Sequence, residues 1–411
     1  MRVANVDIAI KRVARVRYGL GQPPKLSSDG IPILRATNVF RGSIVPEGLI
    51  FAALKDLPLD RAPLLQEGEI LVVRSGAYAG DSALVTPEWA GSAPGYDLRL
   101  TPERMDPRFL AYCLLSTQII HQIDVARSRA AQPHLNAEEL GEVTVPWPAL
   151  EEQRRITDFL DGEVARIEKM ESLQRNVLVK LDERDRAFLD LDLDRLGSRH
   201  GVIPLRRAIR RIEQGSSPLC DNIPASEDEW GVLKVSSVKH GRFWPEENKR
   251  LPAELMPERR YEIKAGDLLV TRANTPLLVG AAAVVPEVRE KLMLCDKIFR
   301  IDVVAQLDRQ FIVLASRGTR IRDLCGAASH GTSQSMSNLK TEEIKEWPIP
   351  NAGLSEQREV VKRVKEQQAM TGSLRSRIGR QLKLLAERKQ ALITAAVTGR
   401  IDVTTARGIE G

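Results

Sequence analysis

The sequence predicts an α+β chain: two tandem mixed α/β domains, each followed by a long α-helix, with the two helices packed on one another. Three observations carry this. First, a Pro-rich entry into a charged amphipathic segment, Pro146-Trp-Pro-Ala-Leu-Glu-Glu-Gln-Arg-Arg-Ile156, returns about 200 residues later as Trp347-Pro-Ile-Pro350, Asn351-Ala-Gly-Leu354 and Ser355-Glu-Gln-Arg-Glu-Val360. That period is too long for a solenoid and reads as two copies of one larger module. Second, the residues before each entry share landmarks in the same order. Third, the segment after each entry carries a coiled-coil-like apolar spacing.

Length and composition bound the answer. At 411 residues the chain has ample core for two or three domains, and 43% hydrophobic with 28% charged residues is ordinary for a globular protein. No apolar run approaches the roughly 18 residues of a membrane span, and Met1-Arg-Val-Ala-Asn-Val-Asp7 lacks a signal-peptide apolar region. Cys113, Cys220, Cys295 and Cys325 lie far apart with no Cys-x-x-Cys pair, which favours reduced, buried thiols and a cytoplasmic location. A net charge of +6 permits a nucleic-acid partner without establishing one.

In chain order, residues 1–150 form the first domain. Ile31-Pro-Ile-Leu-Arg-Ala-Thr-Asn-Val39 is a candidate strand with a turn at Arg41-Gly42, and Glu69-Ile-Leu-Val-Val-Arg74 is a clearer one between Gly68 and Ser75-Gly76. Phe109, Leu110, Cys113, Leu114 and Ile120 predict one helix from Pro107 to about Asp124. Residues 127–137 read as a polar loop, and Glu142-Val-Thr-Val-Pro146 as a last strand. Residues 151–196 form the first long helix, with Glu151 and Glu152 at its positive end and Gly197 as its stop.

The second domain, 197–354, retraces the first. Val232-Leu-Lys-Val-Ser-Ser-Val-Lys-His-Gly241 parallels Ile33–Gly42, Gly266–Arg272 parallels Gly68–Arg74, and Gln334 and Asn338 parallel Gln132 and Asn136. The second long helix is 355–397, and 398–411 is a tail.

The predicted seam of the first helix runs through Ile156, Leu160, Val164, Ile167, Val177 and Leu181, with Phe159, Met170, Leu173 and Phe188 on the same stripe. The second runs through Val360, Val364, Leu374, Ile378, Leu385 and Leu392, with Met370 and Leu382. Residues 151–196 hold 13 acidic and 9 basic side chains, and residues 355–397 hold 4 and 10. Two amphipathic helices of opposite charge suit each other as packing partners.

No catalytic constellation emerges. There is no Gly-x-x-x-x-Gly-Lys-Ser/Thr loop, no His-Glu-x-x-His and no Gly-x-Ser-x-Gly elbow. Gly19-Leu-Gly21 runs into Gln-Pro-Pro, which blocks a dinucleotide-binding helix. Asp97-Leu-Arg99 and Asp296-Lys297 could sit in a nuclease site, although a lone carboxylate beside a base is ordinarily structural. The five histidines lack ligand spacing, so the chain is expected to be non-catalytic and to hold no metal.

Recognition remains. Arg74, Ser75 and Tyr78, and likewise Arg272 and Asn274, follow equivalent strands. Arg35 and Asn38 match Lys234 and Ser237, with Lys239 just beyond. Arg127, Arg129, Gln132, His134 and Asn136 share a polar loop whose counterpart holds His330, Ser333, Gln334 and Asn338. Arg pairs with guanine, and Asn or Gln with adenine, through two hydrogen bonds. The competing reading of each single residue is an ordinary turn cap.

These features resemble the specificity (S) subunit of type I restriction–modification enzymes over nearly the whole chain. The resemblance rests on Pro146–Arg154, more loosely on Trp347–Arg358, and on Arg388-Lys-Gln-Ala-Leu-Ile-Thr-Ala-Ala-Val-Thr-Gly399, which looks like that family's terminal helix. Gln132-Pro-His-Leu-Asn136 fits the family's loop before each conserved region, whereas Gln334-Ser-Met-Ser-Asn338 departs from it. The second entry, Asn351-Ala-Gly-Leu-Ser355, lacks the usual Pro-Pro-Leu.

The resemblance implies two target-recognition domains, each reading one half of a split, asymmetric site in double-stranded DNA. It also implies an antiparallel coiled coil that spaces the domains and recruits two methyltransferase subunits. S-adenosylmethionine would serve those subunits for adenine N6 methylation, and motor-nuclease subunits would use ATP and Mg. A fused methyltransferase is disfavoured because no Asn/Asp/Ser-Pro-Pro-Tyr/Phe motif occurs. A coiled-coil scaffold with duplicated domains that binds no DNA is the alternative. Salt-dependent duplex binding separates the two.

Overall fold

In the computed structural model, which describes residues 6–127, 134–328 and 337–403, the chain forms two compact units. One comprises the residues up to Arg175 together with those from Ile378 onward, and the other is Asn176–Arg377. The division falls within both long helices, so each unit holds one α/β domain and a half of each helix.

In the first unit a four-stranded antiparallel sheet orders Ala14–Tyr18, Leu98–Pro102, Ile70–Val72 and Ser82–Leu84 side by side. The central strand Ile70–Val72 is buried on both faces and reads as a continuous apolar run, whereas Ala14–Tyr18 alternates apolar and basic residues and is partly exposed. Ile70, Val72, Leu98 and Leu100 pack toward helix α1 (Pro107–Leu115). Leu71, Val73, Ala83 and Val85 pack the opposite way, onto Leu34, Val39, Leu65 and Trp89. A second sheet places Ile31–Leu34 between Ala93–Pro94 and Ile50–Ala52, and a ribbon pairs Asp7–Ala9 with Thr144–Pro146. Gly19 is required where these layers meet, since a Cβ there would lie 2.1 Å from the Gly95 carbonyl oxygen.

The helix expected from Pro107 to Asp124 is two, α1 and α2 (Thr117–Arg127). Ser116 breaks them in extended backbone, its hydroxyl donating to the Cys113 carbonyl at 2.7 Å. The expected strand from Glu142 begins two residues later. Asn136 and Glu139 form a reciprocal capping box that starts helix α3 (Ala137–Glu142), and the strand is Thr144–Pro146.

Helix α4 spans Leu150–His200, 51 residues. It does not stop at Gly197, which stays helical; Gly201, with φ +74°, ends it.

The second unit repeats the plan. Its main sheet orders Ile209–Gln214, Ile298–Val303, Leu268–Thr271 and Ala282–Val284 as the first unit does. Leu268, Val270, Phe299 and Ile301 face α5 (Arg309–Ala315), while Leu269, Ala283 and Val285 face the other way. Gly215 repeats the close approach of Gly19, its Cβ position 1.9 Å from the Leu294 carbonyl oxygen. Helices α6 (Thr319–Ala327), α7 (Thr341–Lys345) and α8 (Leu354–Val397) complete the order.

The Glu-Gln-Arg motif explains itself at both helix starts. Gln153 Oε1 accepts from the Asp106 backbone N–H at 2.8 Å, and its amide donates to the Pro148 carbonyl at 2.8 Å. Gln357 does the same with Asp308 N–H and the Ala352 carbonyl, both at 2.8 Å. Asp106 and Asp308 are the N-caps of α1 and α5. One buried glutamine thus ties each long helix to the domain before it.

The two long helices pair antiparallel. Within the first unit Ile156 and Leu160 share a core with Ile393, Ala396 and Val397, and Lys389 pairs with Glu168 at 3.4 Å. Within the second, Arg375 meets Asp182 at 2.7 Å, Arg363 meets Asp192 at 3.3 Å, and Glu356 meets His200 at 3.0 Å. Glu168, Asp182 and Asp192 of the acidic helix thus meet basic side chains of the other helix, and at the His200 end the polarity is reversed.

Among the expected seam residues Ile156, Leu160, Ile167, Leu181, Val360, Val364 and Ile378 are buried, and Val164, Leu385 and Leu392 are half-buried. Val177 and Leu374 are exposed instead. The inward row runs Ile167, Glu171, Gln174, Leu178, Leu181, one residue off the expected Met170–Leu173–Val177 line. A nearly straight helix drifts against a strict seven-residue pattern. In α8, Thr371 and Arg375 take the inward positions that Leu374 was expected to hold.

Beyond α8, Ile401 and Val403 pack against the first unit's core.

Candidate nucleic-acid interface

The buried run Ile70–Val73 ends where the first domain's main sheet meets solvent, and the next residue is Arg74. Its backbone is clamped on both sides: its N–H donates to Asp97 Oδ1 at 3.0 Å, and its carbonyl accepts from Leu135 N–H at 2.9 Å. Burial lifts the Asp97 carboxyl above its usual range, opposed by the Arg74 N–H and the Arg74 charge. The guanidinium carbon lies 4.7 Å from the ring centroids of both Tyr18 and Tyr96, and Nε donates to His134 Nε2 at 3.2 Å. Tyr18, Tyr78 and Tyr96 are 45%, 48% and 50% exposed. Ser75 bridges to His134, which brings the loop after the strand and the polar loop together.

Strand register identifies the matching positions of the second domain. Tyr18 pairs across Leu98 to Val72, as Gln214 pairs across Phe299 to Val270. Arg272 therefore answers Arg74, Gln214 answers Tyr18, and Lys297 answers Tyr96. Arg272 donates its N–H to the Lys297 carbonyl at 2.8 Å and accepts from Leu339 N–H at 2.9 Å. Ala273–Asn274 pairs with Ser337–Asn338, as Ser75 does with His134. Asn338 is thus the counterpart of His134, not of Asn136 as sequence spacing suggested; Asn136 corresponds to Lys340, which precedes α7.

Several expected recognition residues make structural contacts within their own domain. Asn38 is fully buried; its amide donates to the Val45 and Glu47 carbonyls at 3.0 Å and its Oδ1 accepts from Arg35 N–H at 3.1 Å. Ser237, at the same place in the second domain, is also buried. Arg35 turns to the Gly48 carbonyl at 2.6 Å. Arg127 donates to the Ala79 carbonyl and pairs with Asp124 at 2.8 Å, holding the Ser75–Ala79 loop from behind. Arg322 holds the second domain's loop in the same way, through the Val279 carbonyl at 2.6 Å. Asn136 caps α3, and Asn274 accepts from Thr275 N–H at 2.8 Å.

Lys239 is exposed over the Trp244 ring at 5.7 Å, and Lys234 is half-buried. Arg129, Gln132, His330, Ser333 and Gln334 lie outside the described residues. Tyr18 and Tyr96 were missed by sequence reasoning. The available signal was that Tyr18 and Tyr96 each adjoin a glycine, Gly19 and Gly95, in the first domain.

The Asp97-Leu-Arg99 and Asp296-Lys297 carboxylates are engaged within the fold. Asp97 caps Arg74, and Arg99 forms a buried ion pair with Glu69. Asp296 exchanges hydrogen bonds with Ser217. Burial pushes the Cys295 and Cys325 thiols up to about 11, so both stay protonated at neutral pH. Among the described residues no group of three or more His, Cys, Asp or Glu is placed to hold a metal, and no helix is long and apolar enough to cross a membrane.

Residues 25–177 match the family model for the type I restriction modification DNA specificity domain. The specificity subunit of the type I restriction enzyme EcoEI from Escherichia coli is 31% identical over 191 residues, 46% of this chain and 32% of that protein, so this alignment spans about a third of the relative's length. The EcoKI specificity subunit from Escherichia coli K12 is 21% identical over 395 residues, 92% of this chain and 83% of that one. A solved chain from work on the assembly and conformational transition of a type I restriction–modification system superimposes with TM-score 0.61 at 17% identity, covering 97% of this chain and 99% of that one. Residues 25–177 thus resemble a type I restriction modification DNA specificity domain, and the chain as a whole shares the fold of the solved chain.

Proposed function

We propose that the chain is a non-catalytic DNA-specificity subunit in which each α/β domain reads one half of a bipartite, asymmetric double-stranded site. The observation that carries this is the repeated clamp. In both domains the main sheet delivers an arginine, Arg74 or Arg272, to the same exposed end, its backbone held between an equivalent strand and the loop before the last short helix. Two similar but non-identical readers in one chain suit a site with two different halves.

The paired helices set the spacing between half-sites. They also recruit two methyltransferase subunits, on which S-adenosylmethionine acts, and motor-nuclease subunits that use ATP and Mg. This chain supplies recognition and geometry, and works in the cytoplasm beside DNA. Basic side chains on the domains assist through phosphate contacts, so binding should weaken steeply with salt.

Genome-wide N6-methyladenine mapping in the native host, with the gene intact and deleted, tests the proposal. Loss of one bipartite motif on deletion is the expected result. If every methylated motif persists and the purified chain shows no salt-dependent duplex binding, the coiled-coil scaffold is the better reading.

A further inference from the structure

We infer that Arg74 reads a guanine in the half-site of the first domain and that Tyr18, Tyr96 and His134 are the positioning residues that aim it. This rests on the DNA-reading function proposed above and adds to it a base, an edge and an asymmetry between the domains.

An unrestrained surface arginine samples many rotamers and is suited to a phosphate, which accepts from many directions. Arg74 is different. Its backbone is clamped at both N–H and carbonyl. Its guanidinium carbon lies 4.7 Å from two tyrosine ring centroids, and Nε is bonded to His134. Three contacts therefore fix the orientation of the planar group before any ligand arrives, so little side-chain entropy remains to be lost on binding. Among the described residues neither Nη nitrogen has a hydrogen-bond partner. What is left to present is the two-pronged Nη end, and its natural complement is a pair of acceptors side by side. In the major groove O6 and N7 of guanine supply that pair, while adenine offers an acceptor beside a donor.

Tyr18 is itself anchored, its hydroxyl accepting from the Ala137 N–H at 3.2 Å. Among the described residues the second domain has no such cage: Gln214, Lys297 and Asn338 stand where Tyr18, Tyr96 and His134 stand in the first. The preformed guanine reader thus belongs to one half-site alone.

The test is selection of a randomised 40-base-pair duplex library (~40, enough for two half-sites at roughly one turn of separation) by the purified full-length chain, followed by sequencing. Wild-type protein should enrich a two-block motif. Arg74→Lys keeps the charge but removes the fork, and should lower the preference for G at one position of one block roughly 5- to 150-fold. The other block should be untouched, which also shows that the variant is folded. Tyr96→Ala should relax the same position, and Tyr96→Phe should restore it because the ring is kept.

An unchanged motif with Arg74→Lys overturns the assignment. So does uniform weakening across all sequences with a shallower salt dependence, the signature of a phosphate contact. If wild-type protein enriches no two-block motif, the DNA-reading function itself fails, and that outcome is distinct from the other two.

Discussion

The smallest determinant of this architecture is one amide. Gln153 and Gln357 each satisfy a buried backbone N–H at a helix N-cap and a carbonyl at the start of a long helix. Gln153→Ala leaves the Asp106 N–H without a partner and should cost about 1–3 kcal/mol. Calorimetry should show the loss, and Gln153→Glu should not repair it, since a carboxylate cannot donate to the Pro148 carbonyl. His240 gives a second test. Burial, reinforced by the charges of Arg322, Arg317 and Arg186, lowers its pKa below 6.5, while its bond to the Leu277 carbonyl at 3.0 Å opposes the shift. The neutral ring thus belongs to the folded state. As pH falls from about 6.5 toward the folded pKa, the unfolded chain takes up a proton that the folded one does not, and stability declines. His240→Gln should flatten that part of the stability–pH curve; an unchanged slope between pH 7 and 5 would remove His240 as its source. At this scale sequence was least informative. Arg74 and Asn38 look equally suited to reading bases, yet Asn38 is buried in its own turn and Arg74 is half-buried between two partly exposed tyrosine rings. Local sequence does not say which way a polar side chain turns when backbone groups compete for it.

At the scale of elements, the long helices were legible because apolar spacing and charge both pointed to a paired seam. The register was not. Between Ile167 and Leu181 the inward line slips by one residue, and polar groups fill the middle: Asp185 accepts from Thr371 Oγ1 at 2.9 Å and pairs with Arg375 at 3.1 Å. A periodicity count rewards Leu173, Val177 and Leu374, which face out, and overlooks Asp185 and Thr371, which face in. Such a polar layer suits register more than stability, because a slipped pairing strands a buried carboxylate. Asp185→Ala should destabilise the second unit by about 1–3 kcal/mol, through loss of hydrogen bonds to a charged group. The double replacement Asp185→Leu with Thr371→Val should recover most of that or exceed wild type in urea unfolding. If the double variant is as weak as the single one, the layer contributes stability in its own right. The break at Ser116 and the helix end at Gly201 teach the same lesson about boundaries. Extended backbone at one residue and positive φ at another decide them, and neither leaves a periodic trace.

For the molecule as a whole, duplication was the most readable feature, because two copies drifting by insertions still keep their strand order and the motif that starts each helix. That duplication makes the spacer role testable by length. A single insertion in α4 would shift its seam against α8, so the lengthening has to be matched. One heptad added after Arg175 and another after Arg377 lengthens both helices by about 10 Å at 1.5 Å per residue. Seven residues also return the helix face to within about 20° of its starting direction, so the added turns keep the seam inward. Four residues would turn the face by about 40° and misdirect it. If the paired helices measure the distance between half-sites, the heptad variant should recognise the same two half-site sequences with a gap wider by about three base pairs, at 3.4 Å each. Methylation mapping or library selection reads this directly. An unchanged gap with intact half-sites would mean that the helices do not set the spacing and that DNA bending or partner subunits do. A changed half-site sequence with an unchanged gap would mean that the helix halves shape the recognition surfaces themselves, since each is packed into the core of its own unit.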